Sequence, residues 1–153
     1  MSAVFMTPPA DFNAKVTVAG CYCEFEDKIL LLKRHPKKPA GHSWGLPGGK
    51  IDEGETPREA VVREVFEEIG LQIPQNELEE IDQMYVRGPN TDYIFYRFRK
   101  RFEKLPEIDL NLIEHTEARW ITIDEALTYP LIYGGTEALL SYQQYVNKKA
   151  KIG

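Results

Sequence analysis

The chain has 153 residues, 42% hydrophobic and 28% charged, the size and balance of one globular domain with a single core, which excludes a disordered, collagenous or fibrous chain. Nineteen basic against twenty-four acidic residues leave a net charge of −5, so no nucleic-acid partner is expected from the overall field. The longest wholly aliphatic run, residues 29–32, is far short of the ~20 residues that cross a bilayer, and the N-terminus (MSAVFMTPPADF) has no basic start, so neither a membrane span nor a secretory leader is expected.

Residues 1–14 carry Pro8 and Pro9 and no periodicity; they read as a lead-in or an edge strand, with residues 15–153 as one domain. Val16, Val18, Tyr22 and Phe25 mark a strand over 15–25, a polar turn follows at 26–28, and residues 29–34 (ILLLKR) return as its hairpin partner. Cys21 and Cys23, the sole cysteines, share one strand face too close along the backbone for an ordinary bridge. With His35, His42 and His115 scattered, they lack partners for zinc, so two buried, reduced thiols in a cytoplasmic protein are expected. Residues 35–43 form a Pro/Gly-rich loop, and residues 44–49 (WGLPGG) are glycine-rich enough to predict a shaped turn instead of regular structure.

A helix begins at Thr56, a good N-cap followed by Pro57 at the first helical position and Glu59 to complete a capping box. Val61, Val62, Val65, Phe66 and Ile69 give it an apolar stripe, and Gly70 ends it. Residues 78–87 read as a weak strand and 92–102 as a stronger one, with Ile94, Tyr96, Phe98 and Phe102 on one face and Tyr93, Phe95, Arg97, Arg99 and Arg101 on the other. A short strand over 119–123, a helical turn capped by Asp124 and a final amphipathic helix over 135–150 complete one α/β domain.

The segment from Gly49 to Leu71 is the one that carries chemistry. Glu64, Glu67 and Glu68 stand at i, i+3 and i+4, so three carboxylates crowd one helical face. A hard divalent cation with oxygen ligands relieves that repulsion, Mg²⁺ in particular taking carboxylates together with substrate phosphate oxygens. Gly48 and Gly49 let the backbone approach and offer a carbonyl, Arg63 can brace a carboxylate through a bidentate pair, and Glu55 can close the same network. The plainer alternative is a solvated acidic helix paired with Arg58 and Arg63. Seven required positions at ~7% usage each have a chance probability of roughly 10⁻⁸ per window.

Gly49, Glu55, the run Arg63-Glu64-Val65-Phe66-Glu67-Glu68-Ile69 and Gly70-Leu71 together resemble a complete Nudix box, with no departure from the pattern. The resemblance implies a Nudix α/β/α sandwich, a mixed β-sheet between helices, and hydrolysis of a nucleoside diphosphate linked to another group. It implies Mg²⁺, for which Mn²⁺ can substitute, held by Glu64, Glu67, Glu68 and the Gly48 carbonyl, with Arg63 and Glu55 orienting them. In such proteins the base is a box glutamate or one from a later loop, here Glu114 or Glu117; Glu117 is preferred for its place three residues before Trp120. His115 beside them is expected to be an exposed loop residue. Arg34, Lys50, Tyr85 and Tyr93 are the expected substrate contacts, although strand aromatics more often fill a core. Tyr85 falls early, and Pro89 late, for the tyrosine or proline that marks subgroups of the family. A (deoxy)nucleoside triphosphate is the first substrate expectation, a nucleotide sugar such as ADP-ribose the second, and a non-catalytic nucleotide-binding module the alternative of another class. The final helix, through Leu139, Leu140 and Tyr142, packs on its own sheet or supports a homodimer.

Overall fold

The computed structural model describes residues 3–152. Strands β1 (Ala3–Phe5), β2 (Ala14–Phe25), β3 (Lys28–Arg34), β4 (Trp44–Gly45) and β5 (Gly48–Lys50) lead to helix α1 (Pro57–Ile69). After a 3-10 turn come β6 (Glu79–Arg87), β7 (Asp92–Phe102), β8 (His115–Thr122), α2 (Ile123–Ala126) and α3 (Gly135–Ile152). The strands form one mixed sheet in the order β1-β6-β7-β2-β3-β4, with β5 added to β2 and β8 to β3.

Strand β2 joins the two halves of this sheet. One edge runs parallel to β7, from Ala14 opposite Asp92 to Phe25 opposite Phe102. The other edge is divided: Val18, Ala19 and Gly20 pair with β5, while Glu24 and Phe25 pair with β3. Side chains leave the strands alternately, and both faces are covered. Ala19, Cys21, Cys23, Leu30, Leu32 and Phe98 pack against Ala60, Val61, Val65 and Ile69 of α1. Tyr22, Ile29, Leu31 and Ile121 pack against Leu139 and Tyr142 of α3 on the opposite face. This two-sided burial explains the unbroken aliphatic run at 29–32. The α/β/α sandwich and the mixed sheet are as the sequence predicts, and both cysteines are buried and unbridged.

Several local expectations are sharpened or corrected. Of the two readings of the N-terminal segment, the edge strand holds for Ala3–Phe5, β1, which pairs with β6. Residues 44–49 contain two short strands instead of an irregular turn; Gly48 and Gly49 lie opposite Gly20 and Ala19, where the backbones approach closely. The strand expected over 78–87 is present as β6, paired with β7 along its length apart from an irregularity at Ile81 and with β1 at Tyr85–Arg87. Strand β8 starts at His115, ahead of the expected residue 119. The cap of α2 is Thr122, whose side chain accepts from the Glu125 N–H at 3.2 Å, so Asp124 lies inside the helix. On the arginine-bearing face of β7, Arg97 is buried, donating to Asp82 at 2.8 Å and to the Ala138 carbonyl at 2.9 Å, and Arg99 is buried against Glu24. Leu139 and Tyr142 of α3 face its own sheet, while Leu140 points outward. Among the described residues no helix is long and apolar enough to cross a membrane.

Candidate active site

Helix α1 starts as its sequence requires. The Thr56 side chain accepts from the Glu59 N–H and the Glu59 carboxylate accepts from the Thr56 N–H, so the first turn is fixed. At the other end Gly70 adopts φ 72°, a left-handed C-cap, and donates to the Phe66 carbonyl at 2.9 Å. The stripe buried on the sheet then turns Glu64 and Glu68 toward β5, while Glu67 stays exposed beside Arg63.

Arg63 organises one side of this cluster. Its Nε and Nη2 donate to the two oxygens of Glu55 at 2.7 and 2.9 Å, a bidentate fork, while Nη1 donates to Glu64 at 3.0 Å and lies 3.3 Å from Glu67. The same guanidinium donates to the Lys50 carbonyl at 3.1 Å. The fork and the Asp52 N–H hold the Glu55 carboxyl down to about 2, so it is a fixed negative charge. Glu64 leans on the backbone: a Cβ at Gly49 would come within 2.5 Å of its carboxyl carbon. Gly48, at φ 154°, is equally constrained, because a Cβ there would lie 2.2 Å from the Ala19 carbonyl oxygen.

Glu68 is the most buried of the box glutamates. It accepts from the Gly48 N–H at 2.6 Å. Burial pushes its carboxyl up to about 9; the Gly48 N–H opposes the shift, and the Glu64 and Glu114 charges add to it. Glu64 is raised above the usual carboxylate range by burial as well, with Arg63 pulling the other way. Arg63 pairs with Glu64, but among the described residues Glu68 has no ion pair with an arginine or lysine, and the buried carboxylates are left with more negative charge than their partners balance. The oxygen donors and the glycine backbone that admits them fit a hard divalent cation.

The other side of the cluster comes from residues 103–114. The Asp109 and Asn111 N–H groups donate to the carbonyls of Ile69 and Glu68 at 2.9 and 2.8 Å, taking up carbonyls that the end of a helix leaves free. The Ile113 N–H donates to the Asn111 side chain at 3.0 Å, which shapes the next turn. Strand β8 then enters the sheet with an irregularity. Ala118 lies opposite Leu32 and Glu117 opposite Lys33, but Arg34 lies opposite His115, leaving Thr116 as the extra residue. Leu32 and Ala118 belong to the α1 face, so Lys33 and Glu117 point to the other face and His115 returns to the α1 side with Arg34.

His115 is therefore buried, contrary to its expected exposure, with Nδ1 3.7 Å from Glu68 Oε2. Ligand atoms of Glu68, Glu114 and His115 all lie within 4.8 Å of one another. Burial and the nearby Arg34 charge push the imidazole down to about 4, so it is neutral at ordinary pH, although Glu114 works against that shift. Glu117, the preferred later glutamate of the sequence reading, is not brought to this cluster; it pairs with Arg119 at 3.2 Å and borders an open cleft of about 460 Å³ beside β8. The bulge at Thr116 is the physical reason, and Glu114 takes the position beside Glu68.

The expected substrate contacts divide in the same way. Arg34 faces the cluster, its Nε donating to the Pro39 carbonyl at 2.8 Å. The Lys50 side chain is exposed and its carbonyl serves Arg63. Tyr85 packs edge-on against Phe12 and accepts from Gln83, and Tyr93 packs with Met84, Val86 and Ala138, its hydroxyl donating to the Tyr133 carbonyl at 3.2 Å. Tyr93 thus fills the core on the α3 side and is not gathered with the glutamates.

The chain is similar to known proteins. The NUDIX domain profile matches residues 14–140. A CTP pyrophosphohydrolase of Escherichia coli is 30% identical over 118 residues, covering 76% of this chain and 82% of that one. An 8-oxo-dGTP diphosphatase of Proteus vulgaris is 39% identical over 57 residues, and the match spans only about half (51%) of that relative. The crystal structure of the M. smegmatis Nudix hydrolase RenU superposes with a TM-score of 0.72 at 25% identity, covering 95% of this chain and 94% of that one.

Proposed function

The chain belongs to the Nudix family, and from that premise we propose that it is a divalent-metal-dependent hydrolase of phosphoric anhydride bonds in nucleotide derivatives. Its first substrate class is the (deoxy)nucleoside triphosphates, cleaved by water to the monophosphate and pyrophosphate. The observation that carries this reading is the convergence of Glu64 and Glu68 on the Gly48–Gly49 backbone, with Glu114 beside Glu68 and Arg63 holding Glu55, Glu64 and Glu67 from behind. Glu64, Glu67, Glu68 and the Gly48 carbonyl would hold Mg²⁺, or Mn²⁺ in its place, which would supply charge neutralisation on the diphosphate and a water made nucleophilic near neutral pH.

The chain's own residues do the rest. Arg63 keeps the carboxylates in one geometry, so little rearrangement is needed when the substrate arrives. Arg34, on the same face, meets phosphate oxygens that the box does not reach. Glu114 accepts the proton of the attacking water, since among the later glutamates it is the one placed beside Glu68. The similarity to a CTP pyrophosphohydrolase over most of its length supports the triphosphate class. A complete carboxylate set argues against a module that only binds.

The test is a panel of nucleoside triphosphates, deoxynucleoside triphosphates and ADP-ribose, each with Mg²⁺ and with a chelator, read by product analysis. Triphosphates should yield monophosphate and pyrophosphate only with the metal, and Glu68→Gln should lower turnover by about 10²–10³-fold with the fold intact. Tight nucleotide binding with no hydrolysis across the panel would instead identify a binding module. Cleavage of ADP-ribose alone would move the substrate class to nucleotide sugars.

A further inference from the structure

Resting on the metal-dependent reading above, we propose that His115 supplies a nitrogen donor to the cation position at Glu68 and Glu114, making a mixed carboxylate–imidazole site that favours transition-metal ions over Mg²⁺. The ring is 3% exposed, and its Nδ1 has no hydrogen-bond partner among the described residues. An unsatisfied buried polar atom is destabilising, so packing alone gives no reason to keep it there. The atom is also aimed: it lies 3.7 Å from Glu68 Oε2, within a set whose ligand atoms are all within 4.8 Å of one another. Donors around an octahedral ion with bonds of ~2.1 Å are separated by about 3 Å when adjacent and about 4.2 Å when opposite, so the 3.7 Å between His115 and Glu68 lets the two share one ion while Glu114 stays beside it as the base.

The chain also carries a device that puts the ring in place. Without the extra residue at Thr116, strand alternation would turn His115 to the α3 face and leave a threonine beside Glu68. The irregularity turns the imidazole inward, a common use of bulges near functional sites. Arg34, opposite His115, is the neighbouring cation and cannot ligate, so it does not compete for the position. Imidazole nitrogen binds borderline transition-metal ions better than Mg²⁺, which prefers oxygen and keeps its waters.

The experiment uses the full chain with Mn²⁺ alone, read by pulsed electron paramagnetic resonance with natural and ¹⁵N-labelled histidine. One imidazole nitrogen should couple to bound Mn²⁺ and change on labelling. That coupling should vanish in His115→Gln and persist in the double variant His35→Gln/His42→Gln, which decides the assignment even if His115→Gln does not fold. Titration calorimetry should show the preference for Mn²⁺ over Mg²⁺ falling by about tenfold in His115→Gln. Bound Mn²⁺ without nitrogen coupling, or coupling that survives loss of His115, overturns the proposal and leaves the hydrolase reading intact. A chain that binds Mg²⁺ but no Mn²⁺ overturns this proposal alone, whereas one that binds neither ion defeats both, and calorimetry distinguishes the two failures.

Discussion

Glu64, Glu67 and Glu68 owe their positions to a single helix, whereas Glu114 and His115 reach the same cluster through a loop clamped to that helix and a bulge in a distant strand. On the helix, spacing in the sequence is spacing in space: three and four residues apart means one face, and the capping box and Gly70 fix both ends. In the loop, position depends on Asn111 finding the Glu68 carbonyl and on Thr116 being the residue left without an opposite number. The first kind of order is local and cooperative. The second depends on the register of strands far apart in the chain, and a slip of one residue exchanges the faces.

The sharpest way to test the contrast is to remove the two later glutamates in turn. Glu114→Gln should lower kcat by roughly 10²–10⁴-fold, while Glu117→Gln, on the other face and paired with Arg119, should be almost silent. Steady-state kinetics on the best substrate of the panel measures both. If Glu117→Gln is the damaging change, the bulge does not hold during turnover and the register read here is not the working one.

The difference between these two carboxylates also marks how far the sequence could be read. The fold class, the helix with both caps and the box network were legible because each depends on neighbours within about two turns, or on alternation along one strand. The Arg63–Glu55 fork was foreseeable from chemistry, since both residues lie in one short segment. His115 was not, because nothing in the run Glu114-His115-Thr116-Glu117 shows which residue the strand will skip. The burial of Arg97 was equally hidden: its partners Asp82, Tyr22 and Ala138 lie on β6, β2 and α3, and only the assembled sheet brings them together. Tyr93, chosen as a pocket aromatic, fills the core because β7 shows that face to α3.

A smaller effect is expected on the helix side. Arg63→Lys keeps the charge but loses the fork that spans Glu55 and Glu64 together. Turnover should fall by about 10–100-fold, with a weaker apparent affinity for the metal, because the carboxylates lose their brace without losing their charge. Glu55→Gln should reproduce part of the same loss. If Arg63→Lys is neutral, the guanidinium is only one more surface cation, and the helix orders its glutamates without it.

The smallest expected effect is on stability, and it sets Glu68 against His115. The Glu68 carboxyl is raised in the folded chain from its usual 4.5 to about 9, so its contribution is fully present below pH 4.5 and is lost as pH rises toward 9. His115 is depressed from 6.5 to about 4, so its contribution is present above pH 6.5 and is lost as pH falls through 4. Between pH 4.5 and 6.5 the two oppose each other, and above 6.5 only Glu68 changes. In the presence of a chelator the protein should therefore lose stability from pH 6.5 to 9, and Glu68→Gln should flatten that loss because an amide has no charge to bury. At pH 8 the variant should be more stable by about 1–3 kcal/mol, a rise of several degrees in Tm. A saturating divalent ion should then reverse the order, since it binds the folded wild type and stabilises it by mass action. Thermal melts over this range, with and without the ion, measure both arms. Equal slopes for wild type and variant without metal would mean that water reaches Glu68 and that its charge is not the strain the cation relieves.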